Sequence, residues 1–413
     1  MQARNYSTFV LLSLPVICLG LFLLLQAQIE HIRVVQESQR VDQLQTKLVD
    51  DLPTATVRPA HCTTPLGPTL RVHDFALLSA PSRIVVIGTT GKKPDDYPKL
   101  RVVESESGRT LFESREERGD CSLVVVSPDG KVFAVAGDFR ESDTGYVRVY
   151  EAITYKVLWE GRIKYGSRTL AWSDDGTQLA AGNQFDGTVT IWDRDGKNQR
   201  EAWRPSDGES GTVTQQVWSH DGKRIASCSS DNLHVWSVAD GCESVVFKGD
   251  PLLRGFAKNG RNEARIEREL NGIGTFQFTP DDRSILLSTA RTRNEAESCQ
   301  QIWIWDLESN RNRLNLFTTR NGIIFLQSHR SNKEILQVAS IVTERVKRPS
   351  QRVLLEWRKL EDGQRIRAVM FETEHARHWR GTRVSPDFRT LEVAESVGDE
   401  ERAITTYEIP QLP

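Results

Sequence analysis

One stretch near the carboxy-terminal end, Glu372-Thr-Glu-His-Ala-Arg-His-Trp-Arg, has residue types that could hold a metal ion. Glu374, His375 and His378 offer a carboxylate and two imidazoles at a spacing that can ligate a divalent cation. The other reading gives them a structural or surface role. Ser173-Asp-Asp-Gly-Thr begins like a calcium loop but lacks the later bidentate glutamate. His220 and His329 stand where comparable turns carry proline, and read as exposed turn residues. Outside the apolar amino-terminal run, Cys62, Cys121, Cys228, Cys242 and Cys299 form an odd, sparse set rather than a disulfide framework. Of these, Cys228 and Cys299 could meet at one end of neighbouring repeats.

Charge gives a second kind of candidate. The chain has 54 basic and 56 acidic side chains, a formal net charge of −2, which argues against a general nucleic-acid binder. Basic residues nevertheless gather in three places. Residues 249–272 hold Arg254, Lys258, Arg261, Arg265 and Arg268; residues 289–301 hold Arg291 and Arg293; residues 343–352 hold Arg345, Lys347, Arg348 and Arg352. Loops on a rigid scaffold commonly carry binding function, so these are the partner-binding candidates. The competing reading is three solvated loops, because Glu263, Glu267, Glu269, Glu295 and Glu297 offset much of the charge.

A repeat must position these segments. Turn anchors recur at Ser79-Ala-Pro-Ser, Ser127-Pro-Asp-Gly, Ser173-Asp-Asp-Gly, Ser219-His-Asp-Gly, Thr279-Pro-Asp-Asp, Ser328-His-Arg-Ser and Ser385-Pro-Asp-Phe. Each precedes a short apolar run, such as residues 132–137, 179–182 and 285–288, and then an alternating run ending near an aromatic or acidic residue. Asp-Gly pairs at 175–176 and 186–187 supply the positive φ that tight hairpins need. Strand, turn, strand, turn, strand is the reading of each unit. An outer strand follows in all but the last unit, and a strand from residues 55–72 is expected to complete that one.

A run such as Ser-Pro-Asp-Gly, an apolar strand, then Asp-Gly-Thr-Val-Thr-Ile-Trp-Asp resembles the WD-repeat family of β-propellers. The resemblance covers about residues 70–413, is close over 127–306 and looser outside it. Trp-Asp survives only at Trp192-Asp193 and Trp305-Asp306, becoming Tyr150-Glu151, Trp236-Ser237 or Tyr407-Glu408 elsewhere. What the resemblance implies is an all-β, seven-bladed propeller. It also implies that His375, ten residues before Ser385, is a structural histidine. The first strands of such blades face a central channel. Here they carry no ring of histidines or carboxylates, which counts against a propeller enzyme. Strand polarity in such a fold puts the three basic segments on one face.

The amino terminus reads differently. Residues 8–25 form an uncharged apolar run long enough to cross nearly all of a hydrocarbon core of about 30 Å. An uncleaved signal-anchor helix at 8–27 follows, with a cleaved signal peptide as the competing reading. Arg4 and the α-amino group before the span favour an extracytoplasmic body. Residues 28–69 read as a helical stalk and Pro-rich linker, with weak dimerisation through 28–51 open. The domains are therefore a tail at 1–7, the anchor at 8–27, the stalk at 28–69 and the propeller at 70–413. The function expected is that of a membrane-anchored, non-enzymatic protein-interaction scaffold. No catalytic residue, metal, cofactor or nucleic acid is assigned. A propeller enzyme or a sensor of a small ligand or metal is the alternative.

Overall fold

Apolar runs of five to seven residues between Asp- and Gly-containing turns favour strands over helices, and the turns return each strand antiparallel to the last. A computed structural model describes residues 59–66, 70–78, 83–89, 99–114, 120–139, 143–202, 212–229, 232–241, 243–248, 273–289, 300–319, 322–328, 335–342, 351–373, 382–384, 389–397 and 401–409. The expected anchor at 8–27 and the stalk up to residue 58 lie outside them. Among the described residues no helix is long and apolar enough to cross a membrane.

The described chain opens with β1 (Pro59–Pro65). The first sheet contains β2 (Arg71–Leu78), β3 (Arg83–Thr89), β4 (Lys99–Glu104) and β5 (Thr110–Glu113). In the second are β6 (Asp120–Val126), β7 (Val132–Asp138), β8 (Thr144–Glu151) and β9 (Val157–Lys164). The third consists of β10 (Ser167–Trp172), β11 (Gln178–Asn183), β12 (Val189–Asp193) and β13 (Arg200–Ala202). The fourth consists of β14 (Val213–Trp218), β15 (Arg224–Ser229), β16 (Asn232–Ser237) and β17 (Glu243–Lys248). The fifth has β18 (Ile273–Phe278), β19 (Ser284–Thr289), β20 (Gln300–Asp306) and β21 (Arg311–Thr319). The sixth has β22 (Gly322–Ser328), β23 (Ile335–Val342), β24 (Gln351–Lys359) and β25 (Arg365–Thr373). The last joins β26 (Thr382–Val384), β27 (Thr390–Val397) and β28 (Glu401–Glu408) to β1, in the order β1-β28-β27-β26. The all-β expectation of repeated four-stranded units is what the chain adopts.

Each sheet packs face to face on the next. Val85 and Val102 meet Val124 and Phe133; Val147 and Val149 meet Leu179 and Trp192; Ile191 meets Trp218 and Ile225. Ala226 and Val235 meet Phe276 and Leu287, and β18 lies beside β22. Val353 and Phe371 meet Leu391 and Tyr407, while Ile404 packs on Phe75 and Ile84 of the first sheet. The order is therefore cyclic, and from the first sheet to the sixth the first strand of each lies beside the first strand of the next. Hydrogen bonding closes the circle, because β1 pairs antiparallel with β28 (Thr63 opposite Thr405, Pro65 opposite Ala403).

Four of the turns between first and second strands share one hydrogen-bonded design. The Ser173 hydroxyl donates to Asp175 Oδ1 at 2.6 Å, the same oxygen accepts the Thr177 N–H at 3.0 Å, and the Ser173 oxygen accepts the Gln178 N–H at 3.0 Å. Ser127 with Asp129, Ser219 with Asp221 and Thr279 with Asp281 repeat it. Gly130, Gly176 and Gly222 take the positive φ that the turn requires, and in the fifth sheet Asp282 takes it at +56°. That departure has a use. The buried Asp282 carboxylate accepts the His220 N–H at 2.8 Å and the Asp221 N–H at 2.9 Å, and His220 Nδ1 lies 2.9 Å from it. His220 is thus half of a clasp between the fourth and fifth sheets rather than only an exposed turn residue. Arg194 joins the third sheet to the second in the same region, with Nη2 3.0 Å from Asp129 Oδ2.

Two predictions follow from these turns. Asp282→Ala strands two backbone donors and puts a β-carbon with no compensating side-chain bond at positive φ. It should cost about 2–4 kcal/mol in urea unfolding, with Asp282→Asn losing less; an unchanged midpoint for the alanine variant would refute the clasp. Asp129 gives a pH test. Partial burial works to raise its carboxyl, but bonds from Ser127, Arg194 and the Lys131 amide outweigh this and hold it down at about 2. Unfolded aspartate titrates near about 3.9. The stabilisation is therefore complete above about pH 4 and is lost as pH falls towards about 2. Asp129→Asn should lower the urea midpoint at pH 6, and the gap to the parent should close on acidification through that window. A gap independent of pH would contradict the assignment.

Candidate interaction surface

The two ends of the sheets differ in kind. The end carrying the clasped turns is tied together by side chains. At the other end second strands hand over to third strands, and fourth strands hand over to the next sheet. The three basic segments leave from this loop end, since they lie between β17 and β18, between β19 and β20, and between β23 and β24. Arg254, Lys258, Arg261, Arg265, Arg268, Arg291, Arg293, Arg345, Lys347 and Arg348 lie outside the described residues, as do Glu374, His375 and His378. Of these candidates Arg352 has a described backbone position. It belongs to β24, paired with Val342 on one side and Glu372 on the other, because the strand begins at Gln351. Its side chain is outside the described set.

At the loop end the first strands share a feature that no sequence pattern announces. Six of them carry one residue more than the strand they pair with. Val72 and Asp74 pair with Gly88 and Ile87, leaving His73 extra; Cys121 and Leu123 pair with Gly137 and Ala136, leaving Ser122 extra. Ser167 and Thr169 pair with Asn183 and Gly182, so Arg168 is extra, and Thr214 is extra between Val213 and Gln215. The irregularity recurs after Ile273 and after Ile323. A bulge breaks the alternation of side chains and re-aims the extra residue. His73, Arg168, Thr214 and Gly274 are exposed and Ser122 is half-buried, all at the loop end of the innermost strands. The mouth of the ring is therefore lined by re-aimed residues.

Below the mouth the inner strands are fixed to one another. The buried Asp74 carboxylate accepts the Phe75 N–H at 3.0 Å and the Val124 N–H at 2.9 Å, joining β2 to β6. Gln216 Nε2 donates to the Ala180 carbonyl at 2.7 Å, and Trp218 Nε1 donates to the Ala171 carbonyl at 3.0 Å. Gln215 Nε2 reaches the Phe276 carbonyl at 3.1 Å. Carboxylate and amide groups here serve the scaffold, whereas the bulged residues above them face outward.

Beside Arg168 stands a preorganised aromatic. Asn183 Oδ1 accepts the Phe185 N–H at 2.7 Å and the Asp186 N–H at 3.2 Å, while Asn183 Nδ2 donates to the Lys164 carbonyl at 2.6 Å. Asp186 Oδ1 accepts the Thr188 N–H and hydroxyl, and Gly187 takes φ +73°. This loop holds Phe185 57% exposed, with its ring 5.5 Å from Tyr165 in an edge-on contact and Lys164 Nζ 4.5 Å from the Tyr165 centroid. Sequence reasoning passed over Phe185, since Gly-Asn-Gln-Phe-Asp-Gly reads only as a turn; an aromatic between two turn formers was the available signal. Among the described residues no group of three or more His, Cys, Asp and Glu side chains is placed to hold a metal ion.

Known proteins agree with this geometry. Residues 164–193 and 205–237 match the family described as "WD domain, G-beta repeat". The chain is 40% identical over 140 residues to a protein of Kluyveromyces lactis named "Probable cytosolic iron-sulfur protein assembly protein 1", covering 32% of this chain and 41% of the relative. It is 40% identical over 71 residues to a protein of that name from Eremothecium gossypii, covering 16% and 21%. The chain thus spans less than half the length of these relatives. A chain in the solved structure titled "Crystal Structure of Mitotic Checkpoint Complex" superposes with a TM-score of 0.55 at 16% identity, over 87% of this chain and 97% of the other. The cyclic order of sheets and the likeness of fold support a β-propeller, and residues 164–193 and 205–237 within it are similar to WD repeats.

Proposed function

We propose that the protein is a seven-bladed propeller acting as a non-enzymatic protein-interaction scaffold, held at a membrane by its amino-terminal apolar segment. The observation that carries the scaffold reading is the loop end of the ring. Exposed bulged residues line its mouth, Phe185 is held outward by a hydrogen-bonded loop, and beneath them Asp74, Gln215, Gln216 and Trp218 join neighbouring strands. An exposed Phe held by backbone hydrogen bonds near an exposed Arg168 matches the enrichment of aromatic and arginine side chains at protein interfaces. The three basic segments leave from the same end and extend this surface in the sequence. The name of the two curated relatives, an assembly protein, accords with a role in holding partners. The alternative, an enzyme or a sensor of a small ligand or metal, rests on Glu374, His375 and His378, which lie outside the described residues.

Membrane attachment rests on the uncharged run at 8–25, with Arg4 before it favouring an extracytoplasmic propeller. Two experiments test the proposal. Affinity capture with the tagged full chain should return a reproducible partner set that is depleted severalfold by Phe185→Ser combined with Arg345→Glu, Lys347→Glu and Arg348→Glu. A set left unchanged by all four substitutions would remove the loop end from the account. Alkaline extraction of membranes should leave the full chain in the pellet and release a chain starting at residue 52; release of both would dismiss the anchor.

A further inference from the structure

The mouth of the ring has a chemical preference of its own. His73, Ser122, Arg168 and Thr214 follow one another around it on neighbouring innermost strands, β2, β6, β10 and β14. These four residues offer hydroxyls and nitrogen bases; the carboxylate beside Phe185, that of Asp186, accepts the Thr188 N–H and hydroxyl, and that of Asp138 lies against Gly166. The nearby carboxylate of Asp74 is buried and accepts two backbone N–H groups. Arg168 is exposed and makes no ion pair among the described residues, although other arginines at the edges of the sheets do: Arg101 with Glu113, Arg148 with Glu160 and Arg194 with Asp129. An arginine raised by a bulge and left without a carboxylate is a donor fork presented to a partner.

The register supplies the second half of the site. Ser167 pairs with Asn183, so Arg168 and the Phe185 loop occupy the same end of adjacent strands, on the order of 10 Å apart. Phe185 offers an apolar face, and Lys164 adds positive charge next to Tyr165. A segment in the polyproline II conformation has three residues per turn and rises about 3.1 Å per residue, so side chains three residues apart share a face and span about that distance. We infer that this mouth receives an acidic segment of a partner protein, one carboxylate meeting Arg168 and an apolar side chain three residues away covering Phe185. A free small anion fits less well, because the donors stand on an open rim rather than around an enclosed pocket and Phe185 would stay uncovered.

The inference rests on the scaffold reading and is tested apart from it. An array of synthetic peptides containing Asp-x-x-Leu or Leu-x-x-Asp, with matched Asn-x-x-Leu and Lys-x-x-Leu sets, is probed with the purified full chain. Acidic peptides should be retained over their Asn counterparts by about tenfold. Arg168→Glu should abolish that preference and favour the lysine set, while Phe185→Ser should weaken acidic peptides by about tenfold without changing the charge preference. Circular dichroism and the urea midpoint confirm that each variant is folded. No preference for acidic peptides, a preference indifferent to Arg168→Glu, or full displacement by millimolar inorganic phosphate would each overturn the inference. If affinity capture still returns partners in those cases, the scaffold reading stands without it.

Discussion

Burial of the middle strands on both faces is the constraint from which the rest follows. Val85, Ile87, Phe133, Leu179, Ile225, Ile285 and Leu391 are at most 1% exposed because a neighbouring sheet covers each side. Facing sheets stand about 10 Å apart, and the gap between them widens outward from the ring axis. Large aromatics fill the wider part. Trp192, Trp236, Trp357 and Tyr150 sit at the ends of third strands and are nearly or fully buried. Their bulk dictates what lies opposite: a β-carbon at Gly161 would come within 2.8 Å of Trp192 Nε1. The Trp-Asp ending can therefore become Tyr-Glu or Trp-Ser without loss of the fold, since packing needs a large ring more than a particular dipeptide.

Such a ring has little freedom in its walls, so variation is confined to its ends, and the two ends have been used differently. At one, repeated Ser–Asp turns, the Asp282 clasp and the Arg194–Asp129 pair tie neighbouring sheets together. At the other, a single extra residue in six first strands disturbs the pairing and turns side chains outward. Stiffness at the first end is what allows exposed groups at the second to hold fixed positions.

The sequence made the repeat visible because the repeat is written in turn residues. Ser127-Pro-Asp-Gly and its relatives carry the side chains that close the turn, and the apolar runs after them are the doubly covered strands. What escaped was everything set by pairing rather than by residue type. Arg168 lies within Ser-Arg-Thr-Leu-Ala-Trp, which reads as a plain strand, and only its partner Asn183–Gly182 reveals the extra residue. Asp282 occupies a place that three other turns give to glycine, and the two backbone donors its carboxylate accepts from, His220 and Asp221, belong to the neighbouring sheet, which no local pattern encodes. Arg352 looked like loop because it follows basic residues and precedes the apolar core of its strand; its backbone nonetheless enters the ladder.

The pairing of β1 with β28 joins the earliest described strand to one of the last. During synthesis residues 59–65 leave the ribosome long before residues 401–408 exist. Six sheets can assemble in order while β1 waits, and the first and sixth sheets each keep one apolar face bare until the seventh arrives. Phe75, Ile84 and Val86 are among the side chains left uncovered meanwhile. Synthesis of β26 to β28 is therefore what lets the first and sixth sheets cover their bare faces, and the interval before it is when exposed apolar surface is most open to capture by chaperones or by another unfinished chain.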